Sequence, residues 1–101
     1  KKGEEIEIEF TNKGKVEFLK AKVFNCRDRL PAGQVCLVTF DVPEHARRIR
    51  YLLRMFLKEA GFMQHQRSVW SSSFNVSHPM SAFVKQLKAD QWVSIFTAFQ
   101  S

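Results

Sequence analysis

The sequence is short of several things, and each shortage removes a class of protein. Only two cysteines, Cys26 and Cys36, occur in 101 residues. That is too few for a disulfide framework, and no CxxC or Cys/His spacing accompanies them. A structural zinc site is not expected, and the thiols are expected to stay reduced. The three histidines, His45, His65 and His78, form no HxxxH or HxH pattern. The four glycines build no phosphate-cradling loop, and no GxSxG elbow or nucleophile–base spacing is present. No apolar run is long enough to cross a bilayer, and no signal-peptide pattern is found. The expectation is a cytoplasmic protein with no membrane contact. Acidic residues are outnumbered 10 to 16 by lysine and arginine, a net charge of +6. That sign favours polyanion partners, nucleic acid above all. The plainer alternative is a soluble domain with a basic surface.

What is abundant is phenylalanine, ten of them, within a hydrophobic fraction of 45%. The length suits one domain, and a core of that size gains from dimerisation. The chain is organised around Val35–Arg54. Val35–Phe40 is short, β-branched and aromatic, and reads as a buried strand. Asp41 follows it, then Val42, Pro43 and Glu44 lead into a helix, with Pro43 suited to the first helical turn. Ile49, Leu52, Leu53, Phe56, Leu57 and Ala60 recur at helical spacing, and Gly61 is placed to end the helix.

Ahead of this unit, Glu5–Thr11 alternates as a half-buried strand. Val16, Leu19 and Val23 then give Lys13–Phe24 a helical stripe, with Thr11 or Asn12 as its cap. Asn25–Gln34 contains Pro31 and Gly33 and reads as a linker. Beyond the helix, Phe62–Phe74 reads either as one long strand or as two with a kink at Arg67–Ser68. Ser77 is a candidate cap, with Pro79 just inside a second helix striped by Met80, Phe83, Val84 and Leu87. Ala89–Gln91 is a turn, and Trp92–Phe99 a final strand. From Val35 the order is strand, helix, one or two strands, helix, strand. The expected fold is α+β, a ferredoxin-like split βαβ sheet with two helices on one face, preceded by a short strand–helix segment. The expected division is 1–24, a linker 25–34, and the domain at 35–101.

Three motifs in this order, VTFDVPE, RRIRYLLRMFLKEAGF and QRSVW, resemble the central domain of PaaX-type transcriptional repressors, regulators of phenylacetate catabolism and relatives. That domain is similar in turn to CRISPR-associated protein 2, a ferredoxin-like homodimer. Trp70 favours the repressor branch, since the CRISPR branch more often has phenylalanine there. Ile6–Phe24, with FTNKGKVEFL, resembles the last wing strand and following helix of a winged-helix DNA-binding domain whose recognition helix is absent. The resemblance implies a homodimeric, nucleic-acid-associated regulatory domain, with duplex DNA as the partner. Its alternative is an Mg²⁺-dependent endonuclease or adaptation subunit. No cofactor is required unless the protein is a nuclease.

Asp41 is the only candidate catalytic or metal residue. The resemblance implies that it holds Mg²⁺ together with its dimer mate. The alternative is that Asp41 caps the helix or pairs with Arg47 or another arginine, so that removing it destabilises more than it inactivates. Arg47, Arg48, Arg50, Arg54 and Lys58 would grip phosphates, or would form a solvated helix face. Glu44 partly offsets the charge near the helix start. Arg67 would extend the basic surface or hold Asp41. Trp70 and Trp92 would stack on bases or lie in a core or dimer interface. The last strand, Val93–Phe99, would pair with a partner's sheet edge. The enzyme reading rests on the resemblance alone, and the balance leans against it.

Overall fold

The computed structural model describes residues 14–99. The strand expected at Glu5–Thr11 and the helix cap expected at Thr11 or Asn12 lie outside them. The expected first helix is present as α1 over residues 14–24, with Leu19 and Val23 buried and Val16 half-buried. Then follow β1 (Gln34–Phe40), a 3₁₀ turn (Glu44–Ala46), α2 (Arg47–Glu59), β2 (Met63–Gln66), β3 (Val69–Ser72), α3 (Ser77–Gln86), a second 3₁₀ turn (Asp90–Trp92) and β4 (Val93–Phe99). No helix among the described residues is long and apolar enough to cross a membrane.

The four strands form one antiparallel sheet in the order β2-β3-β1-β4. β3 lies between β1 and β2, and β1 lies between β3 and β4. Each strand–helix–strand unit is therefore split by a strand of the other, which is the ferredoxin-like arrangement. Between the two readings of Phe62–Phe74, the structure selects two strands joined at Arg67–Ser68, with a register shift between Gln64 and Gln66.

Alternation sorts β1 into two faces. Cys36, Val38 and Phe40 are buried toward the helices, while Val35, Leu37 and Thr39 face away. Cross-strand pairs carry this pattern to Trp70, opposite Val38, and to Ile95, also opposite Val38. α2 contributes Leu53, Phe56 and Leu57 to the same core, and α3 contributes Met80, Phe83 and Val84. Phe56 stacks on Phe83 with centroids 4.3 Å apart and on Phe24 of α1 at 5.2 Å. Truncating a fully buried leucine such as Leu53 or Leu57 to alanine would cost about 2–5 kcal/mol. The stretch before β1 is fastened too: Leu30 donates its N–H to the Ser73 carbonyl at 2.8 Å, and Asn75 donates to the Asp28 carbonyl at 2.7 Å.

α2 and α3 end in the same way. Gly61 and Phe62 donate to the carbonyls of Lys58 and Leu57, and Gly61 adopts φ +84°. Lys88 and Ala89 donate in the same pattern to Lys85 and Val84, with Lys88 at φ +59°. These are paired C-terminal caps, and they place a lysine where glycine is favoured. The helix starts depart from the sequence reading. Ser77 is the first residue of α3 rather than its cap, since Val76 occupies the capping position and no side chain bonds the exposed amides. Pro43 precedes a 3₁₀ turn rather than entering α2, because its extended ψ of 160° delays the helix to Arg47.

Lys88→Gly should raise unfolding stability by about 0.5–1 kcal/mol in urea titration, through relief of left-handed strain, whereas Gly61→Ala should lower it by about 1 kcal/mol or more. Burial pushes the Cys36 thiol up to about 11. An unfolded thiol ionises near 8.5. The stability tied to Cys36 is therefore complete below about pH 8.5 and is lost as pH rises toward 11. Alkylation of the native protein near neutral pH should label Cys26 and spare Cys36 until denaturant is added; equal labelling would contradict this burial.

Candidate nucleic-acid interface

The basic residues gather where β1 ends. Phe40 donates its N–H to the Ser68 carbonyl at 3.1 Å, which docks the β2–β3 turn against the end of β1. Asp41 donates its N–H to the Trp92 carbonyl at 2.9 Å, which docks the approach to β4 on the other side. α2 starts at this same end. Its residues are mostly strong helix formers, so thirteen residues stay helical despite the unfavourable positive charge at the start.

At about 100° per residue, Arg47, Arg50, Arg54 and Lys58 fall on one stripe of α2 beside the buried face. Arg48 projects about 100° away from that stripe and is exposed. Glu44 answers two of the arginines. It accepts from Arg50 at 3.0 Å and sits 3.5 Å from Arg47. Arg50 also donates to the Val42 carbonyl at 3.4 Å. The Arg50 guanidinium, followed by Arg47, holds the Glu44 carboxyl below its ordinary range.

Arg54 is placed differently. Helical side chains lean toward the helix start. Arg54 thus reaches back and donates Nε–H to the Arg67 carbonyl at 3.1 Å. The Trp70 indole N–H donates to the same carbonyl at 3.1 Å. Burial lowers the Arg54 guanidinium from its ordinary value, and the charges of Arg67 and Arg50 add to that. No carboxylate of the described residues pairs with Arg54 or Arg67.

Of the residues singled out from the sequence, the structure therefore brings together Arg47, Arg50, Arg54 and Arg67. Lys58 continues the stripe one turn further on, and Arg48 stands apart. Trp70 is buried, 4% exposed, and belongs to the core, which closes it to base stacking. Trp92 is half-buried, with His45 edge-on to it at 6.2 Å. Nothing in the residue pattern marks the carbonyl of Arg67 as a shared acceptor, because that contact depends on a turn and a helix meeting in space.

Asp41 does not cap the helix. The extended Val42–Pro43 step and the 3₁₀ turn place it six residues before α2, out of reach of the helix's first amides. Its side chain is exposed, and among the described residues it accepts no hydrogen bond and joins no ion pair, with Arg47 or Arg67 included. Nor do its surroundings fit a magnesium site within one chain. Among the described residues no three His, Cys, Asp or Glu side chains gather to hold a metal. Asp41 alone offers a single carboxylate.

The family model of the PaaX protein central Cas2-like domain matches residues 31–101. The chain belongs to that family. No curated protein and no solved structure matches it. In this PaaX-type domain the matched region takes in β1, the basic end of α2 and the β2–β3 turn.

With no partner for its carboxylate, Asp41→Ala should change the unfolding free energy by no more than about 0.5 kcal/mol. Chemical denaturation of the two proteins side by side measures this, and a loss of several kcal/mol would restore a structural role for the residue.

Proposed function

We propose that this PaaX-type domain is a homodimeric, nucleic-acid-associated regulatory module, with duplex DNA as its partner. The observation that carries the reading is the gathering of Arg47, Arg50, Arg54 and Arg67 at one end of the sheet, with Glu44 the one carboxylate among the described residues that pairs with any of them. Such a surface suits phosphate contacts, which position a protein on a duplex without reading sequence. Arg48 and Lys58 would widen it. The regulatory part of the reading rests on the family.

Dimerisation is supported by two features. Among the described residues β4 is an edge strand of seven residues, and one side of it has no neighbour in the sheet. The sheet face opposite the helices carries Val35, Leu37, Phe96 and Ala98, with Phe96 45% exposed. Open edges of this kind are usually paired or blunted. The fit is to a second copy that extends the sheet through Val93–Phe99.

A second reading, an Mg²⁺-dependent endonuclease, is favoured by one observation: the Asp41 carboxylate is exposed and unengaged at the end of β1. A metal site would need the same residue from a second chain.

Light scattering should give a mass twice that of one chain. Fluorescence anisotropy with duplex DNA should show affinity falling roughly 40- to 150-fold between about 50 and about 200 mM salt, as three or four phosphate contacts require. Absence of binding even at low salt would remove the nucleic-acid part of the proposal. Cleavage requiring both Mg²⁺ and Asp41 would replace it with the nuclease reading.

A further inference from the structure

Within the basic surface, three arginines are not equivalent to the rest. Arg47 has its charge answered by Glu44 on an exposed flank. Arg54 instead meets Arg67 at the β2–β3 turn, and Arg50, bonded to the Val42 carbonyl and to Glu44, is near enough for its charge to act on Arg54. Arg54 is half-buried, and its Nε–H is committed to the Arg67 carbonyl. That bond fixes the plane of the guanidinium, while its terminal N–H groups make no hydrogen bond to any described residue. The carbonyl it uses is locked in turn by the Trp70 indole, whose ring is buried in the core. The ordering cost of the Arg54 fork is thus met by the fold rather than at the moment of binding.

We propose that Arg50, Arg54 and Arg67 form a single preorganised site for one phosphate group, with the terminal N–H groups of Arg54 and the side chain of Arg67 as its principal donors. A planar guanidinium with two free parallel N–H groups matches two oxygens of a phosphate, and a lysine ammonium does not. Three cations held together with one carboxylate are mutually repulsive, and the lowered affinity of Arg54 for its proton reflects that crowding after burial. An oxyanion between them relieves the repulsion. The chemistry is shared by a backbone phosphodiester and by a free phosphate compound. The backbone assignment rests on the nucleic-acid reading above; the site itself does not.

The decisive variant is Arg67→Gln. The structural role of Arg67 is carried by its backbone carbonyl, so the exposed side chain can be changed while the bonds from Arg54 and Trp70 remain. Arg54→Lys is its companion, keeping charge but losing the fork. Lys85→Gln, exposed on α3, is the control. Inorganic phosphate and pyrophosphate are titrated by calorimetry at constant ionic strength balanced with chloride, and duplex DNA by anisotropy at low salt. The expected result is pyrophosphate binding by the wild type and Lys85→Gln, weakened about tenfold in Arg67→Gln and Arg54→Lys. A parallel loss of DNA affinity assigns the site to the nucleic-acid backbone. Unchanged DNA affinity with lost pyrophosphate binding supports the site and assigns it to a free phosphate compound. Equal binding of both probes by wild type and variants overturns the site while leaving the nucleic-acid reading intact. If the wild type binds no DNA, that reading fails, and the pyrophosphate arm still decides the site.

Discussion

Two backbone hydrogen bonds at the end of β1 hold the basic end of this molecule in place. Phe40 donates to Ser68 and Asp41 donates to Trp92, so one strand end fixes the β2–β3 turn on one side and the approach to β4 on the other. The first bond, with the β2–β3 pairing, sets the position of the Arg67 carbonyl, the common acceptor of Arg54 and Trp70. The bond is secure because β1 is an inner strand: it pairs with β3 on one side and β4 on the other and buries Cys36, Val38 and Phe40 beneath the helices. Core packing and the placement of surface arginines are thus one problem here, solved by one strand.

Much of this was legible in the sequence because the periodicities are strong. The β-branched run of β1, the leucine and phenylalanine stripe of α2 and the Met80–Phe83–Val84 stripe of α3 each imply one element. Their order implies the split βαβ sheet. The arginines of α2 were also visible, since i, i+3, i+4 spacing places Arg47, Arg50 and Arg54 together without further information. What stayed hidden depends on local backbone geometry or on distant contacts. Asp41 read as a cap because Pro43 suits a helix start; the extended step and the 3₁₀ turn that intervene leave no mark in composition. The Arg54–Arg67 contact joins residues thirteen apart through a turn whose docking depends on Phe40. Lys88 at positive φ was equally invisible, because glycine is the residue that advertises such a position.

Membership of the PaaX-type family and the physical character of the domain agree in kind. A basic end built from arginines rather than lysines suits planar, bidentate contact with phosphate. The opposite sheet face and the edge of β4, open among the described residues, would offer apolar and backbone surface to the proposed second copy. A dimer made through them would present two arginine clusters at once, and the second contact would add avidity without new chemistry. Among the described residues the Asp41 side chain bonds to nothing in either arrangement, its backbone N–H alone contributing.

The central claim is that the basic end of the sheet, and within it the Arg54–Arg67–Trp70 node, is where nucleic acid meets this domain. The most direct measurement is NMR of the arginine Nε–H and tryptophan indole N–H signals during titration with duplex DNA. The account predicts early, saturable shifts of Arg54 Nε–H and Trp70 Nε1–H, with Arg27 and Arg29, beyond the opposite end of β1, unaffected. Shifts centred on Arg27 and Arg29, with Arg54 and Trp70 unmoved, would contradict it.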